Sequence, residues 1–411
     1  MKKINRESFV KHVISFTLFF VVGLLLFFPI FSAGFAGDDY AQLVHKPYFH
    51  NLSAVTGIFN KVIISPSGHN IFFGFFYRPL PFAIYTTLYV YTHANPFYFH
   101  LIQFFLYTLA CYLLFIFFTA FFSKRLSLLL SFIFLVHPAN EELAAYIASL
   151  PDTLCLLFGL AALVILAKGK GQSLTRASLV CIFLLLALFS KETGILIAML
   201  IGIYAVYRKI AKLYALPVIA TVCVYLIFRV NASFHPIFSF LSPPNSHQPF
   251  LERIFIGLQI AFAFIREIIL PTRIAMNPNT FNPNLTSSVV PFFVLCCFSV
   301  ACVALWTRLK NYKPKNAMML LLFFVWVILG ILFYVQIVSL EVLFAERWLY
   351  VAEIGVLGIL GVILSMLPLK INRWLILCCI LFIILLTLFT TETFLLNGMW
   401  HNWQHYFTKI N

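Results

Sequence analysis

Uncharged runs of about 20 apolar residues recur from one end of this chain to the other. At 1.5 Å of rise per residue, each can cross the roughly 30 Å hydrocarbon layer of a bilayer. Backbone polar groups tolerate lipid only inside helices or closed barrels. Barrel strands alternate polar and apolar residues with a period of two, whereas runs such as 13–34 are apolar on every face. The expectation is therefore an all-α polytopic membrane protein with about 11 transmembrane helices, forming a single domain over 1–411. Composition agrees, because a water-soluble core cannot use a chain that is 62% hydrophobic and only 10% charged.

The formal charge of +15 would suggest nucleic acid in a soluble protein. Here the basic residues collect in short clusters between apolar runs, as cytoplasmic loops do, so no nucleic-acid partner is expected. Lys2, Lys3, Arg6 and Lys11 precede the first run and place the N-terminus in the cytoplasm. A large external loop follows at 35–95, rich in proline, with an interfacial helix expected at 81–91. Further spans are expected at 96–122, 126–146, 151–167, 178–190, 193–207 and 213–228. A second large external segment occupies 229–288, and its stretch 251–270 carries Glu252, Arg253, Arg266 and Glu267, which marks it as non-spanning. Spans at 289–307, 317–338, 348–367 and 374–394 complete the path and leave the C-terminus outside. On this threading every carboxylate except Glu7 faces the non-cytoplasmic side, and ionisable groups beside a bilayer usually mark function.

Five polar segments stand out. Asp38 and Asp39 follow the first span; adjacent carboxylates repel, so a cation or a raised pKa must relieve them, although a solvated, capped loop start would look the same. Arg78, in Tyr77-Arg78-Pro79-Leu80, offers the planar paired donors that match phosphate, or simply an interfacial anchor. His137, Glu141 and Glu142 interrupt an apolar run, with Asp152 opening the next helix. They suit substrate contact, and no known metal signature is matched. Lys191 and Glu192 form a tight external turn that would also serve as a charged hairpin tip, and Glu346, Arg347 and Tyr350 lie at the mouth of a late span. No glycine-rich nucleotide loop or hydrolase triad is present, so a donor should come from the membrane.

Taken together these segments resemble the multi-spanning glycosyltransferases of the GT-C fold, and are most similar to the transmembrane O-mannosyltransferase branch that carries tetratricopeptide repeats. The matching elements are Asp38-Asp39, Tyr77 to Leu80, Asn95-Pro96-Phe97 with His100, His137-Pro138 with Glu142 and Asp152, Ser190 to Glu192, and Glu346-Arg347 with Leu349-Tyr350. An Arg that precedes the Asp in that branch is replaced here by Leu150-Pro151, and the helical repeats have no counterpart in these 411 residues. The resemblance implies transfer of a sugar from a polyprenyl-phosphate carrier with inversion. Asp38 or Asp39 would be the general base, with Asp38 preferred, and Arg78, Lys191 and Arg347 would bind the donor phosphate. His100, His137, Glu141, Glu142, Asp152, Glu192, Glu346 and Tyr350 would contact substrate. No cofactor is required on this reading, although a divalent cation at Asp38 or Asp39 stays open. Partners would be the lipid-linked sugar, membrane lipids, and a lipid, polysaccharide or protein acceptor. The expected setting is a bacterial inner membrane, with the site facing the periplasm or exterior. A transporter or flippase for a lipid or glycolipid is the alternative; such proteins usually place their sites at the midplane in broken helices and often show internal repeats.

Overall fold

A computed structural model describes residues 6–45, 50–60, 63–64, 75–169, 173–232, 249–271, 281–282, 284–335, 343–367 and 373–400. The described chain is almost wholly helical. In order, the helices are α1 (Arg6–Phe27), α2 (Ser53–Gly57), α3 (Pro79–Tyr91), α4 (Pro96–Phe118), α5 (Lys124–Val136), α6 (Glu141–Ala145), α7 (Leu150–Lys168) and α8 (Leu174–Ser190). They continue with α9 (Gly194–Tyr207), α10 (Ala211–Ala232), α11 (Phe250–Ile269), α12 (Leu285–Tyr312), α13 (Pro314–Leu332), α14 (Tyr350–Met366) and α15 (Arg373–Met399). Extended structure among the described residues is one antiparallel pair, Ile63–Ile64 with Phe75–Phe76.

Local sequence sets the helix starts. The Asn95 side chain accepts from Phe97 N at 3.1 Å and Pro96 opens α4, where a missing N–H costs nothing. Asn284 likewise accepts from Ser287 N at 2.8 Å to start α12.

Six helical stretches are long and apolar enough to cross a membrane: Phe9–Ser32, Pro96–Phe118, Ile147–Lys168, Ala211–Ala232, Leu285–Tyr312 and Pro314–Leu332. A seventh arises if α5 and the Pro138–Ala145 segment, bent by 64°, are taken as one broken span. Leu174–Ser190, Gly194–Tyr207, Tyr350–Met366 and Ile383–Met399 are shorter apolar helices. A helix thus lies in every segment expected to span, and α3 and α11 lie where non-spanning helices were expected. The continuous helix expected over 126–146 is broken instead: Pro138 cannot continue the hydrogen-bond ladder, and the chain turns at His137. Much of the loop regions 35–95 and 229–288, and the last eleven residues, fall outside the described residues.

Aromatic side chains fill the bundle. Phe19 stacks on Phe132 at 4.5 Å, and Phe122 stacks on Phe323 at 6.0 Å. Helices α13 and α14 meet backbone to backbone, because a Cβ on Gly330 would stand 2.7 Å from Ala352 N. Such small-residue contacts let helices associate where lipid supplies no hydrophobic drive.

A smaller apolar cluster, comprising Leu43, Ile58, Phe82, Tyr85, Phe99, Ile147, Leu150 and Leu154, ties the first loop and its α3 to the starts of α4 and α7. The two ends of the bundle differ in chemistry. Lys168 reaches Thr119 at 2.5 Å and Arg208 reaches Ala167 O at 3.4 Å, so these cations share one end with Lys124. Asp38, Glu142, Asp152 and Glu192 gather at the other.

Candidate functional site

The opposite end collects the chain after the first span, the starts of α3, α6 and α7, the turn between α8 and α9, and the turn ahead of α14. Gly37 takes a left-handed φ of 48°, open to glycine at little cost, and turns the chain out of the first span so that Asp38 and Asp39 follow. Their side chains diverge. Asp39 is buried, with Oδ2 accepting from Ala36 N at 2.9 Å and Oδ1 from Ala148 N at 2.7 Å. Burial pushes its carboxyl up to about 8, against the pull of those two amides. Asp38 keeps 52% of its side chain exposed and faces Arg347, with Nη2 3.9 Å from Oδ2.

Arg347 comes from the turn Glu346–Trp348 ahead of α14. Its Nη1 donates to Glu142 Oε2 at 3.2 Å, and its guanidinium lies 5.5 Å from the ring centre of Tyr146. Burial alone would weaken the Arg347 charge, and the Glu142 carboxylate more than offsets it. The Tyr146 hydroxyl accepts from Asp38 N at 2.7 Å, and its ring stacks on Trp400 at 5.1 Å. Asp38, Glu142, Arg347 and Tyr146 therefore form one unit.

A second unit adjoins it. Arg78 caps α3 with two bonds to Glu192, Nε to Oε2 at 3.1 Å and Nη2 to Oε1 at 2.6 Å. Burial opposes ionisation of Glu192, but the fork of Arg78 outweighs it and holds the carboxyl down at about 2. Lys191, the C-cap of α8, donates to Asp152 Oδ1 at 2.5 Å with both side chains nearly covered. Burial lowers the Lys191 pKa while Asp152 works the other way. Asp152 joins the units, since its charge acts on Arg78, Lys191 and Arg347 alike.

Nine of the residues singled out in the sequence thus converge: Asp38, Asp39, Arg78, Glu142, Asp152, Lys191, Glu192, Arg347 and, in the same turn, Glu346. The histidines do other work. His137 Nε2 donates to Ile268 O at 2.9 Å and Nδ1 accepts from Ala139 N at 3.2 Å, so it pins the broken span to α11. His100 Nε2 stands 3.4 Å from Gly34 O, and no ion pair joins either histidine to the charged groups among the described residues. Glu141 accepts from Trp400 Nε1, bracing the end of α15. Tyr350 is buried at the foot of the second unit, within reach of Asp152, Cys155 and Thr193.

Sequence reading missed Tyr146, Trp400, Tyr334 and Arg229. Arg229 lies on the last turn of α10, where Nη1 donates to Tyr225 OH at 2.7 Å and its charge acts on Glu192. Its place after an apolar run was the one available signal. Among the described residues, no group of three His, Cys, Asp or Glu side chains is arranged to hold a metal ion.

No family model matches the chain, and neither a curated protein nor a solved structure is significantly similar to it.

Proposed function

We propose that the protein is a membrane glycosyltransferase that moves a sugar from a polyprenyl-phosphate carrier to an acceptor hydroxyl on the non-cytoplasmic face. The observation that carries this reading is the pairing of a half-exposed carboxylate, Asp38, with Arg347, 309 residues on in the chain, beside a second cluster in which Glu192 holds Arg78 and Asp152 holds Lys191, the two being linked through Asp152. An acceptor O–H gives its proton to Asp38 as its oxygen attacks the anomeric carbon. The bond from that carbon to the phosphate oxygen breaks, and the electron pair leaves with the polyprenyl phosphate. Cations held beside carboxylates are already oriented, so they meet the developing phosphate charge with little reorganisation. Attack opposite the leaving group inverts the configuration.

Eleven crossings with a cytoplasmic N-terminus and external C-terminus accompany this reading, in a bacterial inner membrane. With the bent α5 pair taken as one span, the seven long stretches and the four shorter apolar helices supply eleven segments. The end bearing Lys124, Lys168 and Arg208 suits the cytoplasmic side by the positive-inside rule. A transporter would place its charges near the midplane, whereas these sit at helix ends.

The test is mass spectrometry of lipid-linked sugars in a strain lacking the protein. A specific glycosylated carrier should accumulate, be cleared by the wild-type protein, and persist with Asp38→Ala at equal membrane abundance. Full clearance by Asp38→Ala would remove the proposed base.

A further inference from the structure

One helical turn inward from Asp152, four side chains crowd together. Cys155 Sγ lies 3.6 Å from Thr193 Oγ1, the hydroxyls of Tyr334 and Tyr350 both approach Thr193, and Asp152 and Cys155 are close enough for their charges to act on both phenols. Tyr334 is 2% exposed and Tyr350 1% exposed, and the hydroxyl oxygen of each is shut off from solvent without a hydrogen-bond partner of good geometry. The Thr193 hydroxyl can accept from the tyrosines and donate its one proton to a third neighbour, and even then the lone pairs of both phenol oxygens stay unused.

These tyrosines cannot swing away to find water. Tyr334 is stacked on Trp348 at 4.8 Å with 11° between planes, and on Phe264 at 5.9 Å. Tyr350 forms the wall of an apolar crevice with Trp326, Leu156, Ile197 and Ile354. Buried hydroxyls are nearly always satisfied, because leaving one unpaired forfeits its hydration without return. Two rigid phenols side by side, with Thr193 as their shared and poorly aligned partner and a charged cluster next to them, mark a place where something else completes the bonding.

We infer that Tyr334, Tyr350 and Thr193 form a subsite for the hydroxyl groups of the transferred sugar, with Asp152 as a further acceptor. The inference rests on the glycosyltransferase reading and adds which residues hold the glycosyl group. Each phenol both donates and accepts, as does each sugar hydroxyl, so the two sets are complementary. A site with pre-aimed, unpaired donors discriminates strongly for ligands that satisfy them. The phosphate then lies toward Arg347 and Arg78, the sugar inward toward Tyr350.

The test uses Tyr334→Phe and Tyr350→Phe in the full chain, reconstituted in nanodiscs. Binding is measured by native mass spectrometry for bare polyprenyl phosphate and for the same carrier bearing mannose, glucose or galactose. Each substitution should weaken the preferred glycosylated carrier about tenfold and leave the bare carrier unchanged. The thermal midpoint should hold or rise, since an unpaired hydroxyl is removed. Equal weakening of both carriers, no weakening of either, or a lower midpoint would overturn the subsite, the last because it reveals an internal bond. A wild-type protein that binds neither kind of carrier would instead remove the glycosyltransferase reading on which the subsite rests.

Discussion

At the scale of single residues, the site is a set of charges whose partners decide what each can do. Arg78 and Glu192 are mostly buried and doubly bonded, so removing Arg78 takes from Glu192 both donors of that fork. Arg78→Gln should cost roughly 3 kcal/mol of stability, and Arg78→Gln with Glu192→Gln should recover part of it; thermal unfolding in detergent reads both. The Glu192 carboxyl is held down at about 2, so the pair's stabilisation is complete above the ordinary carboxylate range and is lost only as pH falls toward 2. Asp39 has the opposite sign. Its folded value near 8 lies above the ordinary 3.8, so its contribution is fully present below 3.8 and is lost as pH rises through about 8. The thermal midpoint should therefore fall as pH rises from about 4 to about 8 and level off above that, and Asp39→Asn, which cannot ionise, should flatten that fall even if it lowers the midpoint throughout. An equally steep fall in the variant would assign the titration elsewhere. Which of two adjacent aspartates is buried could not be read from Asp38-Asp39 itself, since the amides that choose Asp39 come from Ala36 and from Ala148, 109 residues on.

Helices and their joints set the positions of those charges, and here the sequence was most informative. Apolar length and flanking charge located a helix in each expected span, and the charges of α11 set it apart from them. The bend at His137 was less legible: Pro138 signals a break, but its angle depends on stitches from elsewhere. Thr393 donates to Val136 O at 2.8 Å, and Asn140 Nδ2 donates to Glu353 Oε2 at 2.7 Å. Asn140→Leu leaves that buried carboxyl without its donor and should lower stability by about 1–3 kcal/mol, whereas adding Glu353→Leu should restore most of it. Close approach makes a second prediction. A Cβ on Gly330 would meet the Ala352 backbone at 2.7 Å and one on Gly355 would meet Val327 Cγ2 at 2.7 Å, while one on Gly34 meets nothing within 4 Å. Gly330→Ala and Gly355→Ala should lower the unfolding midpoint, and Gly34→Ala should leave it near the wild-type value. Equal midpoints for all three would show that α13 and α14 separate freely.

Across the bundle, Lys124, Lys168 and Arg208 share one end, and Asp38, Glu142, Asp152 and Glu192 share the other with the cations they pair. Lys209, in an exposed turn, and Asn51, in the first loop, should lie on opposite sides of the membrane. A protease site inserted at each, in sealed vesicles of one orientation, should be cut by external protease at only one of the two; cleavage at both in intact vesicles would contradict the sorted arrangement. The convergence of the site was legible as order and sidedness of short motifs. Its internal pairing, Arg78 with Glu192 and Lys191 with Asp152, was not, because neighbouring residues in sequence send their side chains to different helices.

The clasp at Asp39 stores its instructions unevenly. Its carboxyl oxygens accept from main-chain N–H groups, which every amino acid but proline supplies. Position 148, partly open to its surroundings, should accept nearly any replacement except proline in a saturation library, whereas position 39 should reject almost all. The fastening of the first loop is thus written in one letter, while its counterpart is free to drift.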